Sequence, residues 1–506
     1  MKNNFLVLAL LAIFCSCEGI SEDDQIPISP DEKSDINLPP EKFIVSVDSV
    51  TYDKAFLSWE ESIDPEGFRN QYTIFLGDSI LSENQVDTGL VIDRLNGLTN
   101  YTGKVLAKDP QGNTYSVNFE FITKRDYQTF LKYLNFSMDQ ECVSGFIQNL
   151  IKAPDGNYLA IGKSSENGSN YFNFVAKIDP FGNPIWMKSY PYENGDYWEI
   201  QAFLTKTGLL IMSNHHVIKL DKNGNEIWVK AIELFNRGIG GVEIKDIVEG
   251  AKEEIFLIGD LNSEKVDVIK QGVLMKLSPD GEIVWEKFFE TSLRSSFKRI
   301  VISRENNLVI LGGKETNGCT KQESNSGYCE QIDFWILRLS MSGEIEWEKT
   351  YGDSNLDLPQ TLIELKNGNI VFGGISISNS QSYSARIFEI RSNGEKIWDH
   401  IDPYHYFYSV KETPENGLIA IGMVNAYSYQ KKMGLVKFGN NRTVEWRKSY
   451  GESMTNVSAK DILVDGDFGF RIAASRENMN AFDCDQKLLF IKADPWGYFE
   501  HPSLNE

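Results

Sequence analysis

A short phrase recurs along the chain with a tryptophan at a fixed distance behind it, and no other feature constrains the fold as much. Lys177-Ile-Asp-Pro-Phe-Gly182 leads to Trp186, and Lys219-Leu-Asp-Lys-Asn-Gly224 leads to Trp228. Further copies start at Lys276, Arg338, Glu389 and Lys437 and lead to Trp285, Trp347, Trp398 and Trp446. The Trp stands nine residues after the first member in all six copies, and a Gly stands five after it in five of them. An apolar run, a glycine turn and a second run bearing the Trp make a β-hairpin. Another hairpin precedes most copies, as in TLIELKNGNIVFGG at 361–374. Each repeat therefore holds four strands in about fifty residues, the size of one propeller blade.

A seventh copy begins at Lys492, but its ninth-offset position is His501 and not a Trp. The missing outer strand is found at the front, where Phe130-Leu-Lys-Tyr-Leu-Asn-Phe136 follows the pattern of Trp347 to Tyr351 and Trp446 to Tyr450. Residues 127–136 are expected to complete the seventh blade and to leave no open edge in the ring. The expected fold is all-β: a small β-sandwich at 42–124, then a seven-bladed β-propeller with shared-strand closure at 125–506. The repeat resembles the secreted bacterial propellers related to quinoprotein-type and other Trp-bearing families, over roughly three quarters of the chain.

Within 42–124, the runs FIVSV, AFLSW, YTIFL, GKVLAK and VNFEFI are short strands between turn-rich segments. Trp59, Tyr72 and the Leu95-to-Tyr101 segment resemble the core Trp and tyrosine corner of a fibronectin type III domain, which implies a β-sandwich that serves as a spacer. Residues 18–41 are acidic, polar and carry Pro27, Pro30, Pro39 and Pro40, so they read as a flexible tether.

Phe5 to Phe14 is an unbroken apolar run behind Lys2, too short to cross a bilayer and suited to a signal peptide. It ends in Phe14-Cys15-Ser16-Cys17, which resembles a lipobox; the small Ser16 makes Cys17 the expected lipidation site and 1–17 the signal peptide. The acidic Glu18–Asp24 behind it resembles the sorting stretch of cell-surface lipoproteins. The expected location is the outer membrane, exposed at the cell surface and held by the lipid. Cys142, Cys319, Cys329 and Cys484 remain, an even count that suggests disulfides in an exported chain. Cys319–Cys329 would span a polar insertion, and Cys142–Cys484 would staple the first blade to the seventh.

A net charge of −22 argues against nucleic acid as a partner. The repeated Trp residues read as packing between blades, because they recur at one blade position. No metal or cofactor is expected: the turns lack the ligand series of a calcium loop, no Cys-Cys pair of a quinoprotein site occurs, and His215-His216 point to opposite faces of a strand. No His-Glu-x-x-His, Gly-x-Ser-x-Gly or phosphate-loop motif occurs. The candidate binding residues are loop aromatics: Tyr404, His405 and Tyr406 with Tyr427 and Tyr429, and Tyr192, Tyr197 and Trp198. These readings lead to a non-catalytic binding or scaffold protein for a glycan or envelope protein, with a polysaccharide hydrolase or lyase acting in the propeller funnel as the alternative.

Overall fold

The computed structural model describes residues 37–96, 99–124, 129–134, 143–166, 170–190, 200–213, 215–232, 242–261, 271–289, 294–317, 331–353, 355–378, 382–403, 405–424, 431–451, 455–478 and 486–499. These residues form strands and turns and contain no α-helix, and hence no helix long and apolar enough to cross a membrane. The chain divides into two compact units, Met1–Asp126 and Tyr127–Glu506.

The smaller unit holds two sheets. Val45–Val50, Ala55–Trp59 and Gly89–Ile92 form one; Ser79–Gln85, Gln71–Leu76, Asn100–Lys108 and Thr114–Ile122 form the other. Alternate residues of these strands turn inward, which the period of two dictates, and one core takes Ala55, Leu57 and Trp59 from the first sheet and Tyr72, Ile74 and Val105 from the second. Trp59 and Tyr72 meet edge to face at 5.6 Å. The Tyr101 hydroxyl accepts from the Asn96 backbone N–H at 2.8 Å and pins the approach to its own strand.

The larger unit is propeller-like: seven four-stranded antiparallel sheets, each an open ladder, with no sheet closed on itself. Sheets 1 to 6 are drawn in order from 143–190, 200–231, 242–289, 295–351, 356–403 and 405–450. Sheet 7 takes three strands from 455–493, and its fourth is Phe130–Leu134, paired antiparallel with Gln486–Ala493. The first strands of successive sheets touch, and that of sheet 7 touches that of sheet 1. Six of these seven strands carry a bulge, which turns a side chain toward the neighbouring sheet. Asp246, Thr361 and Asp461 thereby accept backbone N–H groups from Ile300, Val410 and Leu150 of the next sheet at 3.0, 3.2 and 3.0 Å. The last of these joins sheet 7 to sheet 1.

The repeated Trp and Gly meet at the outer joints. The Trp of one sheet lies on the glycine turn of the next: a Cβ at Gly224 would come within 2.8 Å of the Trp186 indole, one at Gly281 within 3.0 Å of Trp228, and one at Gly343 within 2.9 Å of Trp285. At the seventh joint Phe130 replaces the Trp, 3.0 Å from the same point on Gly182. These glycines also have φ near +80°, so both space and backbone demand the residue. The lysine two places after the Trp reaches the same turn: Lys132 Nζ donates to Asn183 Oδ1 at 2.8 Å and Lys188 Nζ to Asn225 Oδ1 at 2.5 Å, while Lys230 and Lys287 pair with Glu282 and Glu344.

The two irregular copies explain each other. Glu389 stands where the other copies have Lys or Arg, and Arg442 stands where they have Gly. Arg442 adopts φ +64° and its Nε donates to Glu389 Oε2 at 2.5 Å, an ion pair between sheets 5 and 6 that holds the left-handed turn without glycine.

Gly343 and Gly368 share φ of +80° and +84°, but nothing lies within 4 Å of a Cβ at Gly368. Gly368→Ala should cost about 1 kcal/mol of backbone strain. Gly343→Ala should cost about 1–3 kcal/mol more, because Trp285 must move. Urea unfolding of the two variants checks the difference, and equal losses would contradict the joint.

Candidate active site

One end of the seam between sheets 4 and 5 collects carboxyl groups. Asp333 lies near the start of the third strand of sheet 4, Gln331–Leu339. Gly352 and Asp353 follow the outer strand Ile345–Tyr351, and Asp357 is the second residue of the first strand of sheet 5, Leu356–Glu364. Arg386, on Tyr383–Ile390, enters from the same sheet. Its Nη1 lies 2.8 Å from Asp353 Oδ2 and 3.7 Å from Asp357 Oδ2, and its Nη2 lies 3.9 Å from Asp399 Oδ2. The Gly352 backbone lies directly against two of the acids: a Cβ there would sit 2.2 Å from Asp333 Oδ1 and 2.8 Å from Asp357 Oδ2.

The acids differ in exposure and therefore in charge behaviour. Asp353 exposes 43% of its side chain, whereas that of Asp357 is fully buried. Burial pushes the Asp357 carboxyl up to about 7, with Asp353 and Asp333 adding to the shift and the Ser376 hydroxyl and Arg386 opposing it. Asp333 is also raised, chiefly by burial and then by Asp353. A single guanidinium among these acids leaves a proton on the most buried of them. The result is a buried carboxyl whose proton is held toward neutral pH, set near a salt-bridged, solvent-facing carboxylate.

Aromatic side chains pack on the other face of sheet 5, toward sheet 6. Leu358, the neighbour of Asp357, belongs to a small group with Ile375, Tyr383, Tyr406, Tyr408 and Met423. Tyr383 meets Tyr406 edge to face at 5.5 Å. His405 opens the first strand of sheet 6, and its Nδ1 lies 2.6 Å from Asp402 Oδ1. His400 Nε2 and Arg447 Nη2 approach the other oxygen of Asp402 at 3.3 and 2.9 Å. Burial works against ionisation of Asp402, yet His400, His405 and Arg447 together hold its carboxyl well below the usual carboxylate range.

Among the candidate residues from the sequence, His405 and Tyr406 thus stand at the seam between sheets 5 and 6, with Tyr406 buried. Tyr404, Tyr427, Tyr429, Tyr192, Tyr197 and Trp198 lie outside the described residues, as do Cys17, Cys142, Cys319, Cys329 and Cys484. No disulfide is formed among the described residues. Sequence reasoning missed Asp333, Asp353, Asp357 and Arg386. The one signal was a lone Asp inside an apolar run, in QIDFWILRL and NLDLPQTL, which is inconspicuous among 72 acidic residues.

No protein-family model matches the sequence, and no curated protein does. Solved structures do match at low identity. A polysaccharide lyase is 9% identical with a TM-score of 0.45, over 74% of this chain and 93% of the other. An exotype rhamnogalacturonan lyase is 9% identical with a TM-score of 0.38, over 89% and 90%. An α-L-arabinofuranosidase from Fusarium graminearum, solved with an iminosugar inhibitor, is 11% identical with a TM-score of 0.38, over 59% and 92%. The expectation of a non-enzymatic protein is corrected here, since the solved structures this chain resembles include carbohydrate-cleaving enzymes. At these identities and scores the likeness transfers no activity to this chain.

Asp357 titrates above its ordinary range, so the folded state binds a proton that the unfolded chain releases near pH 4. Its contribution therefore favours the folded state at low pH and is lost as pH rises toward 7. Asp357→Asn should gain stability relative to the wild type between pH 5 and pH 8, by about 1 kcal/mol or more. Thermal melts across that range check the sign, and a parallel pH dependence in both proteins would contradict it.

Proposed function

We propose that the chain hydrolyses a polysaccharide, with Asp357 as proton donor and Asp353 as its carboxylate partner, on a seven-bladed β-propeller tethered to the outer face of the outer membrane. The observation that carries this reading is the buried carboxyl of Asp357, raised to about 7 and set against Asp353 across Arg386. Glycoside hydrolysis needs one carboxyl that holds a proton at neutral pH and one carboxylate that activates water or attacks the sugar. Arg386 orients Asp353, and Gly352, having no side chain, lets the chain pass directly over Asp333 and Asp357.

The propeller reading is supported by the seven sheets, by the contact of each first strand with the next, and by the bond from Leu150 to Asp461 that links the last sheet to the first. The smaller unit fits a fibronectin type III-like spacer; its buried Trp59 and Tyr72 and the Tyr101–Asn96 bond support that. The lipid on Cys17 and the tether at 18–41 would hold both units at the surface, where an extracellular glycan is accessible.

Purified protein incubated with a panel of neutral and acidic polysaccharides should release new reducing ends without ultraviolet-absorbing unsaturated products. Asp357→Asn should lower kcat by about 100-fold or more, since general acid catalysis supplies roughly that factor. Unsaturated products would make the chain a lyase, and full activity in the variant would remove Asp357 from the mechanism.

A Cys17→Ala protein should leave the membrane fraction and lack acyl chains by mass spectrometry. An unmodified Cys17 in the wild-type protein would refute the anchor.

A further inference from the structure

The joint between sheets 1 and 2 differs from the others at its turn end. In the other six sheets the first hairpin closes with an N–H bonded to the carbonyl four residues on, as from Ala153 to Asn157 or Ser303 to Asn307. In sheet 2, Thr205 N–H reaches Gly208 O, so this hairpin is one residue shorter. A side-chain latch found at three joints is also absent, as it is between sheets 6 and 7, where Pro414 and Val464 hold the corresponding positions. At three other joints the second turn residue donates its backbone N–H to a Glu ending the next sheet's first strand: Lys206 to Glu249 at 3.1 Å, Arg304 to Glu364 at 2.9 Å and Lys366 to Glu412 at 2.8 Å. Between sheets 1 and 2 the donor position is Pro154, which has no N–H, and the acceptor position is Leu204.

A cavity of about 310 Å³ opens where both features fall, between the two turns. Pro154, Leu159, Leu204, Leu209 and Leu220 line it, with the Trp186 indole as one wall. The polar groups around it are largely engaged. Asp155 pairs with Lys177 at 2.5 Å. Asp221 accepts from the backbone N–H groups of Asn223 and Asn225 and from the Asn225 amide, and Lys206 Nζ donates to Ala251 O. Lys222 stands exposed at the mouth.

We infer that this cavity binds a small planar apolar ring compound that carries one anionic group. The ring lies among the leucines and against Trp186, and the anion meets Lys222. The walls offer an apolar ring contact area and no spare buried acceptor or donor that a polyhydroxylated ligand would need. The site is separate from the acid cluster of sheets 4 and 5 and does not depend on it.

Anilinonaphthalene sulfonate serves as the anionic probe and uncharged phenylnaphthylamine as its neutral counterpart, each titrated into the full chain by fluorescence. One saturable site is expected for both. Inserting one residue between Lys206 and Thr207, which restores the hairpin length of the other sheets, should weaken both probes by about tenfold or more. Lys222→Glu is a surface change and should weaken only the sulfonate, by about tenfold. Absence of saturable binding would overturn the inference. So would undiminished sulfonate binding in Lys222→Glu, or equal loss of both probes there, because the anion contact would then be wrong.

Discussion

Everything in the larger unit depends on the contact between an indole and a glycine turn on the next sheet. A four-stranded antiparallel sheet with two apolar faces is unstable alone, because both faces need covering. Here each sheet covers one face of its neighbour, and the Trp reaches past the sheet edge to lie on the neighbour's turn. The contact demands a residue without Cβ and with positive φ, so it fixes register as well as spacing. Lysines behind the Trp lie over its ring, as Lys188 and Lys287 do at 5.8 Å, and carry their charge into the same turn. Stability of this kind belongs to joints between neighbours and not to individual sheets.

The departures from the repeat are where the chain does something else. Glu389 and Arg442 exchange the roles of cation and glycine and keep the joint by an ion pair. Phe130 stands in for the Trp where the strand comes from a distant part of the chain. The short Thr205 hairpin, unmatched in the other six sheets, falls at a cavity lined by Pro154 and Leu204. The acid cluster sits at the end of the seam away from the glycine turns, where Asp333 begins its strand and Asp357 begins the next sheet. Loops and strand ends at that end are free of the joint's geometric demands and can hold groups that no repeat would conserve in place.

The hairpins, the sheet count and the inter-sheet role of the Trp could be read from spacing because the joint repeats its chemistry in sequence order. The strand at Phe130 was legible for the same reason, since its Lys132 follows the pattern of Lys188. The acid cluster was not legible. The Asp357 carboxyl is raised by its burial and by Asp353 and Asp333 against the opposing Ser376 and Arg386, and these groups come from two sheets. None of those contacts leaves a spacing that recurs, and searching for known catalytic motifs therefore led to the expectation of a protein without activity. His405 was noticed as part of an aromatic run, but its tie to Asp402 depends on strand pairing that composition does not reveal.

Asp357 and Asp402 lie on the same sheet, both buried, and reach opposite states. Asp402 faces two histidines and Arg447, and these donors overcome the penalty of burial. Asp357 has Arg386 at 3.7 Å, beyond hydrogen-bond reach, because that guanidinium is drawn 2.8 Å from Asp353 instead. The exposed acid thus adds to the effect of burial: Asp353 draws the cation to itself, and its own charge, with that of Asp333, raises the buried carboxyl further. Such an arrangement is unfavourable for the folded chain at neutral pH, since an Asn would fit without the penalty. A fold stabilised through many equivalent joints tolerates one unfavourable group, and a strongly shifted carboxyl of this kind marks where a functional site is sought.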